Sequence, residues 1–160
     1  MLTKTSLSAI RTLLHLMGRD RGQIFAPRAI ALELGESPTY LAKVARSLVK
    51  AGILRAERGV KGGIRLNRAP VEITLLAVVE ACQGAIMGDY CQSGCDLDGA
   101  CSYHHAAAEL HDAIVGVLSR WTLEDLNRKP KPLKAMHGLI PCVITGSIAA
   151  AVSRPGKGKR

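Results

Sequence analysis

Aromatic residues are scarce in this chain: one Trp, three Tyr and one Phe among 160 residues. It has no Cys-x-x-Cys pair and no nucleotide-binding glycine motif. The residues therefore offer no dithiol oxidoreductase centre and no dinucleotide site, and no enzyme is expected. Internal repeats are missing too. No secretory leader is expected, because Met1-Leu2-Thr3-Lys4 runs straight into a polar-interrupted helical pattern, and with it a cytoplasmic protein is expected. Five cysteines, an odd number, fit poorly with a fully paired disulfide framework. In the cytosol, clustered cysteines more often bind metal or do redox work.

Acidic residues are few at both ends. The net charge of +9 divides as +9 over residues 1–68, −8 over 69–127 and +8 over 128–160, the last stretch holding no acid at all. Three regions follow: a basic head over 1–68, an acidic middle over 69–127 and a basic tail over 128–160. A basic head suits a phosphate backbone, although charge alone fits a solvated surface equally well. The acidic middle does not suit DNA.

The head has a recognisable order. Leu7, Ile10, Leu13, Leu14 and Met17 recur at helical spacing and predict a helix from about Thr5 to Arg19. Pro27 opens a second helix through Leu34. After the break Gly35-Glu36-Ser37, Ser37 is a good N-cap and Pro38 a good first helical residue. A third helix then carries Leu41, Val44, Ala45, Leu48 and Val49 on one face and ends at Gly52. Two short strands, Ile53–Arg58 and Gly63–Leu66, flank a glycine-rich tip. The expected fold is therefore mainly α with a small β-hairpin wing: a winged helix-turn-helix followed by a long C-terminal dimerisation helix. In that arrangement the third helix enters the major groove of double-stranded DNA by its N-terminal end. Ser37, Thr39, Tyr40 and Lys43 stand there, Arg46 can reach the backbone, and Arg58, Lys61 and Arg65 mark the wing. The plainer alternative packs Tyr40 on the body and leaves the cations solvated.

The middle opens at Pro70. Ile73, Leu75, Leu76, Val78 and Val79 predict a helix through Ala81. Gln83 to Gly99, with four glycines and three acids, reads as loop. From Ser102 a helix restarts, with Ala107, Leu110, Ile114, Val117, Leu118 and Trp121 as an apolar stripe. So small a body covers such a stripe poorly. A homodimer seam through Leu110, Ile114, Val117, Leu118 and Trp121 is thus as good a reading as intramolecular core. Thr122-Leu123-Glu124-Asp125 resembles a new helix start capped by Thr122.

The loop and the helix start hold Cys91, Cys95, Cys101 and His104. Soft thiolates at short spacing in a flexible segment can converge on one metal. Three cysteines and a histidine are also an ordinary zinc set, and a metal-free thiol–disulfide switch is a further alternative. Cys82 reads as core and His111 as surface or interface. His15 and His137 have no partner that the sequence names, and Cys142 cannot be read.

Together these residues resemble the Rrf-type family of bacterial winged-helix regulators, which includes iron–sulfur regulators of the IscR and NsrR type. The resemblance covers residues 1–127. It is carried by Leu2-Thr3, by the Ser37–Leu48 helix with Tyr40-Leu41, by the wing phrase from Arg58 to Leu66, by the phrase from Pro70 to Leu75, and by the three-cysteine loop. It implies a cytoplasmic homodimer with crossing C-terminal helices and a DNA affinity, most simply a repressor's, that depends on a cluster sensing redox state, nitric oxide or iron–sulfur status. By resemblance, Cys91, Cys95 and Cys101 are its thiolate ligands. The three residues between Cys91 and Cys95 are fewer than the five usual in IscR-like members. His104, three residues after Cys101, matches the IscR-like fourth ligand, with His105 as the fallback. The Asp that NsrR-like members can use is missing from the Ser6-Leu7-Ser8 region. The resemblance thus favours a [2Fe–2S] cluster, with [4Fe–4S] as the alternative. Imidazole in place of thiolate raises the reduction potential. The tail lies outside the resemblance. Its apolar stretch, Met136 to Val152, is short and interrupted by Gly138, Pro141 and Gly146, so no membrane partner is expected.

Overall fold

A computed structural model describes residues 2–19, 23–59, 62–86 and 101–128. The helices are α1 (Lys4–Met17), α2 (Pro27–Leu34), α3 (Pro38–Lys50), α4 (Leu75–Gln83), α5 (Ser102–Arg120) and α6 (Leu123–Arg128). Strands β1 (Leu54–Glu57) and β2 (Gly63–Leu66) lie between α3 and α4, and a single 3-10 turn covers Pro70–Glu72. The architecture is mainly helical with one antiparallel hairpin, as the sequence predicts.

Several helix boundaries have a local cause. Thr3 caps α1, its hydroxyl accepting the Ser6 N–H at 3.2 Å, which satisfies one of the orphan donors of the first turn. Pro27 starts α2, and Gly35 ends it in the left-handed region at φ 68°, where a side chain would be strained. Ser37 stands at the N-cap of α3, but its hydroxyl makes no capping bond. Only its carbonyl takes part, accepting the Leu41 N–H at 2.9 Å. Thr74 caps α4 through the Ala77 N–H. Thr122 and Asp125 form a reciprocal capping box at α6, each backbone N–H reaching the other's side chain at 3.0 and 3.2 Å.

Two sequence expectations are corrected here. Ile73 does not belong to the fourth helix: its backbone is extended (φ −99°, ψ 98°) and it is fully buried. Trp121 does not continue the α5 stripe: its backbone is extended too (φ −94°, ψ 128°). Both departures have one origin. The Leu75 N–H donates to the Trp121 carbonyl at 2.8 Å and the Leu123 N–H to the Ile73 carbonyl at 3.0 Å, around the Thr74–Thr122 bridge. Those long-range bonds outcompete one more helical turn at each site.

The core is aliphatic. Ala9, Ile10, Leu13 and Leu16 of α1 meet Ile30 and Leu34 of α2, Leu41, Val44 and Leu48 of α3, Ile53, Leu54 and Ile64 of the hairpin, and Val78 of α4. Cys82 packs on its edge, and burial raises its thiol pKa, in keeping with its reading as core. The wing registers Leu54 with Leu66 against the core, and the buried Ile64 with Ala56, which is exposed. Phe25 forms an isolated antiparallel bridge with Ile64, bonded in both directions at 2.9 and 3.0 Å. That close approach requires Gly63, where a Cβ would lie 2.4 Å from the Phe25 carbonyl oxygen. Gly63→Ala is therefore expected to destabilise the protein by about 1–3 kcal/mol through backbone displacement, read as a lower urea midpoint. An unchanged midpoint would mean that the hairpin and Phe25 part without cost.

Candidate nucleic-acid interface and metal centre

The exposed side of α3 is built by helical periodicity. Leu41, Val44, Ala45 and Leu48 point into the core, so Thr39, Ala42, Lys43 and Arg46 must point out. With Ser37 and Tyr40 they line an open concavity of about 550 Å³. Tyr40 is half-buried and does pack toward the body. Its hydroxyl donates to Thr5 Oγ1 at 3.3 Å, and the Lys4 ammonium lies 5.9 Å from its ring centroid.

The wing presents Arg58 exposed beside its tip; Lys61 lies outside the described residues. On the outer face of the hairpin Arg55 and Arg65 stand directly opposite one another, a pairing of like charges that is unfavourable by itself. Glu57 relieves it. Its Oε1 lies 3.1 Å from Arg55 Nε and 3.2 Å from Arg65 Nη2. Arg55 and Glu57 were missed in the sequence; the signal was the alternation along β1, which puts both on the face of Arg65.

A second charged group fixes the turn between α2 and α3. Arg11 of α1 bonds Glu36 at 2.9 Å and the Leu34 carbonyl at 2.9 Å, and Ser8 donates to the same Glu36 carboxylate. His15, for which the sequence named no partner, lies 3.2 Å from the Glu33 carboxylate. Burial lowers its pKa against the raising influence of Glu33.

Of the four predicted metal ligands, Cys91 and Cys95 lie outside the described residues. Cys101 is the N-cap residue of α5 and His104 stands in its first turn. Cys101 Sγ is 3.1 Å from His104 Nδ1. The thiol is exposed, and its pKa is lowered to about 7, first by the imidazole and then by the backbone N–H groups of His104 and Tyr103. A thiolate at a helix N-terminus beside an imidazole is a soft donor pair, so these two residues fit a thiolate-ligated metal centre. Along α5, Ala107 alone is buried. Tyr103, Leu110 and Val117, seven residues apart, are 70%, 53% and 48% exposed. Ile114 and Leu118 are half-buried, and His111 lies 3.1 Å from Asp112. No helix among the described residues is long and apolar enough to cross a membrane.

The family described as Rrf2, iron-dependent transcriptional regulator, matches residues 2–129. The chain belongs to the Rrf2 family. It is 30% identical over 144 residues to the HTH-type transcriptional regulator NsrR of Halalkalibacterium halodurans, covering 88% of this chain and 99% of that one. It is also 30% identical over 142 residues to protein aau3 of Rhizobium meliloti, covering 86% and 92%. Among solved structures, the global cysteine regulator CymR of B. subtilis superposes with a TM-score of 0.65 at 22% identity, over 82% of this chain and 98% of that one, which establishes the shared fold. The match to the Rrf2 family reaches from the head through α5 and α6, so the winged head and the long helix belong to one regulator architecture.

Proposed function

We propose that this Rrf2-family regulator is a homodimer whose affinity for double-stranded DNA responds to an iron–sulfur cluster held by Cys91, Cys95, Cys101 and His104. The observation that carries the cluster reading is the Cys101–His104 pair, 3.1 Å apart and exposed where the cysteine segment enters α5. A [2Fe–2S] cluster suits a set of three thiolates and one imidazole. When bound, such a group supplies a redox centre whose ligation is sensitive to oxidation, nitric oxide or iron supply. The chain's own part is to seat it at the N-terminus of α5, where backbone N–H groups favour negative charge. Repression is the simplest output.

For DNA, Thr39 and Lys43 at the open end of α3 reach base edges and phosphates, Arg46 reaches the backbone, and Arg58, Lys61 and Arg65 hold the flanking strand. Tyr40 and Ser37 shape the surface between them. Glu57 tempers the wing: Glu57→Gln removes one negative charge beside Arg55 and Arg65. The slope of log K against log salt is then expected to steepen by up to about one, measured by fluorescence anisotropy on a duplex selected by the wild type from a random pool. An unchanged slope would place the wing's arginines off the DNA.

Tyr103, Leu110 and Val117 give α5 an apolar seam at heptad spacing, continued by Ile114 and Leu118 and closed by Trp121 beyond the helix end. Two such seams facing one another would set the distance between two reading heads. The pair Leu110→Glu and Val117→Glu is expected to yield monomer by light scattering; a dimer surviving both moves the interface elsewhere.

The experiment for the whole reading is an anaerobic absorption spectrum with iron and acid-labile sulfide assayed on the same sample, followed by DNA binding with and without the cluster. Sulfur-to-iron absorption with matching iron and sulfide supports the cluster. A colourless protein containing zinc, or a metal-free one that cannot be reconstituted, replaces it with a zinc staple or a thiol switch.

A further inference from the structure

The first turn of α1 stands beside the reading end of α3. The Tyr40 hydroxyl donates to Thr5 Oγ1 at 3.3 Å and fixes the ring against α1. The same ring lines the open concavity with Lys43 and Arg46. Over it sits one more cation, the Lys4 ammonium, 5.9 Å from the ring centroid and within cation–π range. Lys4 is exposed, and its place is a poor one for folding alone. It is the first residue of α1, where the helix dipole disfavours positive charge, and no acidic residue stands in that turn. Among the described residues, no carboxylate lies within ion-pair reach of Lys4, Lys43 or Arg46, whereas Arg11, Arg55 and Arg65 are all paired.

We propose that Lys4 is a phosphate ligand of double-stranded DNA, held over Tyr40 at the edge of the reading face and outside both the helix-turn-helix and the wing. This rests on the DNA-binding reading above and adds to it a contact from an element that reading leaves unused. Groove dimensions decide what Lys4 touches. A helix with its side chains is about 10–12 Å across, and the major groove of B-DNA is about 12 Å wide. The first turn of α3 therefore fills the groove by itself. A group carried beside that turn by a different helix falls on the sugar–phosphate wall and not on base edges. Tyr40 equips Lys4 for that contact. A carboxylate in the place of the ring would cancel the positive charge; an aromatic face leaves it whole and restricts where the ammonium swings, so less side-chain freedom is lost on binding. Lys43 follows Tyr40 by three residues and Arg46 follows Lys43 by three, which makes them neighbours along one ridge of α3. With Lys4 at the head of that ridge, three cations without acidic partners form a line that a phosphate strand can follow.

The test measures Kd by fluorescence anisotropy across a salt series, on the wild-type-selected duplex and on an unrelated duplex of the same length. It uses whichever form of the protein, iron-loaded or iron-free, binds the selected duplex more tightly. Lys4→Gln is expected to make the slope of log K against log salt shallower by about 0.9 for each head bound. Per head, the wild type's advantage over it should shrink by about threefold between about 50 and 200 mM salt. The loss should be equal on the two duplexes, because a phosphate contact carries no sequence information. Lys4→Arg is expected to keep the wild-type slope. Lys50→Gln is the control for net charge. Lys50 is exposed at the far end of α3, about 15 Å along the axis from Tyr40, and its loss should leave the slope alone. Lys4 lies outside the core, so Lys4→Gln should fold with an unchanged melting temperature. A wild-type slope in Lys4→Gln overturns the assignment of Lys4 and leaves the DNA-binding reading standing. So does a slope that falls equally in Lys50→Gln, which would make the effect one of overall charge. A loss confined to the selected duplex replaces phosphate with a base contact and also overturns the proposal. A wild type that enriches no duplex from the random pool and binds neither overturns the DNA-binding reading, and the role of Lys4 with it.

Discussion

Cys101→Ala is expected to leave the protein folded and unable to hold a cluster. The thiol is exposed, and its side-chain hydrogen bond is the one to His104. Removing it withdraws nothing from the aliphatic core, so the apo melting temperature should stay at the wild-type value. Loss of a supporting partner around a metal ligand typically weakens metal affinity by about 10–100-fold, and loss of a ligand itself should exceed that. Iron, sulfide and visible absorption are expected to fall together after reconstitution, with the cluster-dependent change in DNA affinity. His104→Cys separates the proposed fourth ligand from the rest. It restores a thiolate at the same place in the first turn of α5, so colour should survive. The reduction potential should drop, since imidazole ligation is what raises it. Full iron and sulfide in Cys101→Ala would remove Cys101 from the ligand set, and an unmoved potential in His104→Cys would remove His104.

Arg11→Met is expected to cost about 3 kcal/mol of folding stability, the lower end of the range for breaking a buried ion pair. Arg11 and Glu36 side chains are only 14% and 13% exposed, so water screens them little. Arg11 is also, with Ser8, one of two α1 side chains that tie this turn, bonding the Leu34 carbonyl as well as the carboxylate. Without it Glu36 retains the Ser8 hydroxyl and an uncompensated charge. For a domain of this size the melting temperature should fall by roughly 10 °C. Adding Glu36→Gln removes the stranded charge, so the double variant should be less destabilised than the sum of the two singles. A strictly additive result would mean that the pair makes no net interaction. Because Gly35 and Glu36 set the entry to α3, DNA affinity should fall further than the lost folded fraction accounts for.

Much of this molecule was legible in the linear order of residues. Leu41, Val44, Ala45 and Leu48 have the helical period that buries one face of α3 and exposes Thr39, Lys43 and Arg46 on the other. Pro27 and Pro38 occupy first-turn positions because the missing N–H is no loss there. Thr122 and Asp125 made their capping box as their spacing requires. Such features depend on neighbours within four residues, and a local pattern can specify them. Ile73 and Trp121 were misplaced because their backbones are held by each other's segments, nearly fifty residues apart along the chain. No periodicity of one segment reports a bond to another.

The same division runs through the sites. By itself the sequence determined the winged-head order, the basic face of α3, the apolar register of α5 and the position of a thiol and an imidazole three residues apart. Only the tertiary structure decided that Glu57 sits between two arginines across the hairpin, that Arg11 holds the turn before α3, and that Ser6 meets Gln83, whereas the Cys101–His104 contact at 3.1 Å lies within one helical turn. The first set follows from side-chain period and local backbone preference. The second needs the path of the whole chain, because packing of the aliphatic core brings α1 against α3 and α4 and only then places their polar side chains within reach.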